Sequence, residues 1–462
     1  MTNKLYDSSS DVFELCPLEN SKGTYKIIQY SLLYRHSQPT LSSGSPYAKI
    51  QRAFERLVEL YPILRGYRVT LPDRNIIATG DSSKPGPLFE IIDAPQMTVD
   101  GFDKIKFHHN QWPANVDSAL KSRTTDIERM IAGTVVQFAD GYLVALSVSH
   151  IVADGVAVYL LLRQWASLAQ KLTAGGDESP MPDLPIDFDH QAFWAKLSAH
   201  PHDDHPFVAY LNSLDLGSMS ALQAKLSTWY ATGSLEGGKT LAMRILHVSP
   251  ESIDAIGKEF NEPNGDCPAI HGVQILYALL WQRYVATVIE MQMETDIAYT
   301  LPVFLTMMFG LRQITPAPDY IGNALGSVLV PCNAKDVLAM PIIDLAYLVK
   351  EHLRQLSPGA TVHYLNEVFG GDGSFLTKNV YLCNRTESLA SISNMSRLDY
   401  FDISFGHGRP VGLLAGTLPT EGLSFWMPSA NGGIDIYYGL KDDVYSVLKC
   451  DKALNKFIQF IN

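Results

Sequence analysis

The chain reads as an α/β protein built of two similar α/β lobes joined by a long crossover, and three observations lead there. Strand and helix signals alternate through residues 1–185. From Gly175 to Pro206 the composition shifts to Pro, Asp and His, the signature of a long connection. A second strand–helix series starts near Leu226, and at 462 residues the chain is too long for one ordinary core. The expected division is an N-terminal lobe over 1–185, a crossover over 186–225 and a C-terminal lobe over 226–462.

In the first lobe, Tyr25 to Tyr34 alternates as a strand does, and Ser45 to Tyr61 is an amphipathic helix with Ile50, Phe54, Leu57, Val58 and Tyr61 on one face. Pro62 forbids its continuation. Thr134–Phe138 and Tyr142–Val148 flank Asp140-Gly141, which predicts a hairpin with a D-G turn. Val156 to Leu172 carries helical spacing. In the second lobe, Thr240–Val248 reads as a strand, Ser249–Asn261 as a serine-capped helix and Ala269–Met291 as a long buried helix. Later strands are expected at Ala298–Val303, Gly326–Val330, Asn379–Cys383 and Gly433–Tyr438. There is no repeat at solenoid periods and no low-complexity tract.

Composition narrows the function. A formal charge of −12 argues against nucleic acid or an anionic membrane as partner, although a local basic patch could still hold an anionic cosubstrate. The five cysteines are scattered and form no C-x-x-C pair, as expected of free thiols in a reducing compartment. The N-terminus lacks the apolar core of a signal peptide, and no window reaches the ~18 uninterrupted apolar residues that span a bilayer. A cytoplasmic, monomeric enzyme or binding protein is expected.

The most informative stretch is His150-Ile151-Val152-Ala153-Asp154-Gly155, which lies between the hairpin and the helix that follows. A histidine at a strand-to-helix junction is held by rigid elements yet lies where a cleft can open, and its unperturbed pKa is near neutrality, as a general base requires. Asp154, four residues on and followed by Gly155, is placed to fix the local turn.

Further motifs follow in order. They are Leu57-Val-Glu-Leu-Tyr61-Pro62-Ile-Leu64-Arg-Gly66, Arg312, Tyr320-Ile-Gly322-Asn323, the loop Ser404-Phe405-Gly406-His407-Gly408-Arg409-Pro410, and Gly432-Gly433-Ile434-Asp435-Ile436 with Leu440. Together with H-x-x-x-D-G, this series resembles the BAHD acyltransferases over nearly the whole chain, and most closely the fungal branch that includes trichothecene acetyltransferases. The resemblance implies a chloramphenicol-acetyltransferase-like pair of lobes with a channel between them. It also implies acyl transfer, with acetyl as the acyl group, from a coenzyme A thioester to a hydroxyl or amine of a specialised metabolite. His150 would be the base in a ternary complex and Asp154 a structural support. Coenzyme A thioester would be a cosubstrate, with no bound cofactor and no metal.

The resemblance carries over other residues. Asn384, in Val380–Thr386, is the candidate oxyanion donor, and Ser404, Gly406, Gly408 and Arg409 are candidates for the coenzyme side. Gly155, Arg312 and Asp402 are structural. Two departures stand out. Ser404 replaces the aspartate of the family's D-F-G-W-G-K-P loop, so that either Asp402 reaches Arg312 in its stead or the pairing is absent; and His407 replaces tryptophan.

Other signals are set aside. His200, His202 and His205 with Asp203 and Asp204 resemble a metal cluster but lie in the proline-rich connection, where a solvated loop is expected. His108-His109 shows no ligand spacing, Gly370–Ser374 lacks a P-loop lysine, and there is no G-x-S-x-G elbow. Two rival readings remain: a condensation-type enzyme fed by a carrier protein, which would usually show a second histidine where Ser149 stands, and a fold relative repurposed for binding or other chemistry.

Overall fold

The computed structural model describes residues 12–15, 26–36, 46–71, 75–105, 111–126, 128–173, 189–201, 203–204, 208–209, 241–261, 269–291, 302–313, 315, 317, 320–355, 357–370, 389–406, 408–416 and 419–461. They fall into two compact units. The first is Met1–Lys196 with Thr315–Leu325 and Arg397–Leu418; the second is Leu197–Ile314, Gly326–Ser396 and Pro419–Asn462. Two segments expected in a C-terminal lobe therefore belong to the first unit.

The first unit is organised by a five-stranded sheet in the order Gly412–Gly416, Ile27–Arg35, Gly141–Ser149, Ile131–Gln137, Leu88–Asp93. The expected hairpin forms, with Gln137 opposite Tyr142. No residue from 138 to 141 has positive φ, so Gly141 is not there for turn conformation. A Cβ at that position would come within 2.1 Å of the Tyr34 carbonyl oxygen, so glycine is required by the close approach of the neighbouring strand. Strand Gly412–Gly416 pairs antiparallel with Ile27–Arg35, Leu414 opposite Ser31, and so extends the sheet with residues nearly 400 positions away in sequence.

Several helices pack on this sheet, two of them as a pair. Pro46–Leu60 stops before Pro62, as expected, and packs against Gly155–Thr173. Trp165, fully buried, donates its indole N–H to the Ile50 carbonyl at 2.9 Å and meets Phe54 and Phe405 edge-on at 5.4 and 5.1 Å. The segment read as a long connection contains the helix His190–Ser198, whose first turn is capped by Asp189 through the Ala192 N–H at 2.8 Å. The surrounding Pro, Asp and His residues masked that signal.

The second unit is built on a seven-stranded sheet in the order Leu325–Asn333, Pro302–Gly310, Leu389–Asn394, Leu423–Pro428, Ile434–Lys441, Leu241–Val248, Gln459–Phe460. The long helix Gly272–Met291 is buried as read, with Leu276, Leu279, Trp281 and Val285 in the core. Ser249 caps Pro250–Phe260 by accepting the Ser252 N–H at 3.2 Å. The strand expected at Ala298–Val303 is found at Pro302–Gly310, and that expected at Asn379–Cys383 lies outside the described residues.

Within the first unit, Tyr34 is fully buried, stacks on Tyr142 at 5.0 Å and donates its hydroxyl to the Ile403 carbonyl at 3.0 Å. Tyr34→Phe keeps the ring but strands a buried carbonyl, which costs about 1–3 kcal/mol. Urea unfolding should register that loss.

Candidate active site

Strand Gly141–Ser149 is buried at all nine positions and paired on both edges, so its end is a fixed point. There the Ser149 N–H donates to the Met130 carbonyl at 2.9 Å and the His150 N–H to the Lys26 carbonyl at 2.7 Å. The Val152 N–H returns to the Ser149 carbonyl at 3.1 Å, tightening the turn that carries the chain to Gly155, the first residue of helix Gly155–Thr173.

Asp154 is completely buried. Its Oδ1 accepts the Ala157 N–H at 2.9 Å and caps the helix, and its Oδ2 accepts the Ala324 N–H at 2.8 Å. The carboxylate thus acts forward, on the helix and on the Tyr320–Ala324 segment, rather than folding back onto the imidazole. The Asp154 N–H donates to the Gly322 carbonyl at 3.4 Å, and Asn323 Nδ2 donates to the His150 carbonyl. The backbone of His150 is therefore held on its N–H side by Lys26 and on its C=O side by Asn323.

Tyr320 anchors the far end of that segment. Its hydroxyl bonds His190 Nδ1 at 2.7 Å, and its ring stacks on Phe193 at 4.1 Å. Both partners lie on the helix that composition had hidden, and no local pattern marked His190 as a partner of the Y-x-G-N segment.

His150 is half-buried, and dense protein surrounds its ring. Desolvation dominates and pulls its pKa below the ordinary histidine value. The nearby ammonium of Lys26 acts in the same direction; the residue's own carbonyl, Asp154 and Asn323 act against it. Nδ1 is the buried nitrogen and has no hydrogen-bond partner among the described residues.

The 400–410 loop is fixed to the same unit by buried Tyr400, Ile403 and Phe405. Tyr400 meets Tyr30 and Tyr159 edge-on at 5.3 and 4.9 Å. Ser404 closes the turn by accepting the Gly406 N–H at 3.2 Å, and its carbonyl accepts from Gln170 Nε2. Gly406 and Gly408 have φ of +98° and +101°, conformations that favour glycine. Asp402 forms its ion pair with Arg409 at 3.1 Å, both side chains largely exposed. Arg312 is buried in the short helix Leu311–Gln313 of the second unit. Asn384 and His407 lie outside the described residues. The described strand that precedes the loop is Leu389–Asn394, with hydroxyls at Ser391 and Ser393; Asn394 Nδ2 donates to Tyr277 Oη at 2.5 Å. Of the cluster set aside earlier, Asp203 accepts from Ser357 Oγ at 2.5 Å, whereas His202 and His205 lie outside the described residues.

Asp154→Asn leaves one of two buried N–H groups facing an amide NH₂. The expected cost is about 1.5–3 kcal/mol. Thermal melting should fall together with activity; unchanged stability would remove the bridging role.

Comparison with known proteins gives the family. The sequence pattern of the Transferase family matches residues 103–454, well over half of the chain. Stemmadenine O-acetyltransferase of Catharanthus roseus is 20% identical over 67% of this chain, which spans 62% of that protein's length. Hydroxycinnamoyltransferase 2 of Oryza sativa is 23% identical over 93% of this chain and 90% of its own. Among solved structures, TRI101 of F. sporotrichioides, crystallised with coenzyme A and T-2, aligns with a TM-score of 0.72 at 13% identity, over 98% of this chain and 100% of that one. The family pattern and the shared fold together mean that the chain belongs to the Transferase family of BAHD acyltransferases.

Proposed function

We propose that the chain transfers an acyl group, acetyl in the first instance, from a coenzyme A thioester to a hydroxyl or amine of a small specialised metabolite, as a monomer in the cytoplasm. The observation that carries this reading is the desolvated imidazole of His150, with its backbone bonded on both sides at the end of a buried strand. Family membership and the names of the relatives, acetyl- and hydroxycinnamoyltransferases, support the reaction class. Coenzyme A is a cosubstrate here, as the TRI101 complex makes reasonable. Among the described residues no helix is long and apolar enough to cross a membrane.

In the proposed step, Nδ1 is the buried nitrogen and keeps the imidazole proton, so that Nε2 accepts the proton of the acceptor. The acceptor oxygen or nitrogen bonds to the thioester carbon, and the carbonyl π electrons move to oxygen. Collapse re-forms the carbonyl and breaks the C–S bond, and the imidazolium returns its proton to the departing thiolate. A positioned base accounts for on the order of 10² to 10⁴ in rate. The remainder comes from holding both substrates together and from stabilising the oxyanion.

His150→Ala should lower coenzyme A thiol release by about 10²-fold or more without changing the melting temperature. Retention of more than about a tenth of the rate removes His150 as base. Thiol release found only with a carrier-protein thioester would favour the condensation-type rival.

The pH profile supplies a second expectation. A base works when unprotonated, and His150 lies below its ordinary value of 6.5, so the acid limb of kcat/KM should fall below that pH. A limb above it contradicts the desolvated environment.

A further inference from the structure

The register of the central strands puts an unassigned cation beside the proposed base. Ile27 lies opposite Ser149 in the antiparallel ladder, and the 2.7 Å bond from the His150 N–H to the Lys26 carbonyl marks the next rung. Lys26 and His150 are thus neighbours just past the last paired residues of the two strands, and the Lys26 ammonium is near enough to act on the imidazole. The Lys26 side chain is exposed, yet the surrounding protein desolvates its ammonium and holds its pKa below the usual lysine value. Among the described residues no carboxylate pairs with it, although the chain carries 48 acidic residues. The charges acting on the imidazole are this ammonium and Asp154, whose oxygens are engaged by the Ala157 and Ala324 N–H groups.

We propose that Lys26 is a positioning residue for the base: its ammonium, which no carboxylate among the described residues pairs, adds to burial in keeping the His150 imidazole unprotonated so that it can take the acceptor's proton. The role rests on the reading of His150 as base. Removing the cation makes protonation easier, so the acid limb should move to higher pH, whereas a structural contribution would lower the rate at every pH and leave the limb in place.

The test is NMR titration of the His150 ring in the intact chain, with its signal assigned by loss in His150→Gln. It is paired with pH profiles of thiol release from acetyl-coenzyme A to a simple alcohol. Lys26→Gln should raise both the ring pKa and the acid limb by about half a pH unit, a roughly threefold loss well below the limb and little at the plateau. Lys26→Arg should restore the wild-type position. High salt should reproduce part of the shift in the wild type, since the side chain is exposed. An unmoved ring titration in folded Lys26→Gln overturns the proposal and leaves His150 as base. A ring that shifts while the rate limb stays overturns the base reading, and the role of Lys26 with it.

Discussion

A carboxylate with no access to water has to find its hydrogen bonds inside the protein, and that constraint on Asp154 organises the site. One oxygen is satisfied three residues ahead, at the start of its own helix; the other is satisfied 170 residues away, at Ala324. Leaving either oxygen bare would cost more than the net gain of an average hydrogen bond. The Tyr320–Ala324 segment is therefore drawn to the histidine turn, where Asn323 bonds the His150 carbonyl. The aspartate of H-x-x-x-D-G thus acts on the histidine through the backbone, by fixing the turn on which the imidazole stands.

The same surroundings bear on the protonation of the ring that is proposed as the base. Burial opposes the imidazolium and dominates, and a nearby ammonium acts in the same direction, while the residue's own carbonyl and the Asp154 carboxylate act against it. A base that stays neutral needs no proton loss before it acts. The rigid strand beneath supplies position and the desolvated surroundings supply protonation state.

Local patterns carried much of this in the sequence. The hairpin, the helix after Gly155, the Ser249 cap and the long helix ending at Met291 each depend on residues within a few positions of one another, and each is found where its pattern lies. The strand Gly412–Gly416 is different, because its partner Ile27–Arg35 lies almost the whole chain away. Helix His190–Ser198 sat in a tract whose composition spoke for a loop, although Asp189 offered a cap. For Asp402 the sequence left open whether it pairs with Arg312 or the pairing is absent, and it offered no reason to look seven residues ahead, where Arg409 on the same loop takes the ion pair. Lys26 carried no motif at all, since its position beside His150 is a matter of ladder register.

Direct transfer in a ternary complex is the central claim, and it is most directly tested by initial rates with acyl-coenzyme A and acceptor varied together. The account predicts double-reciprocal lines that intersect, because both substrates must be present when His150 takes the proton. Parallel lines would indicate an acyl-enzyme intermediate and would contradict it.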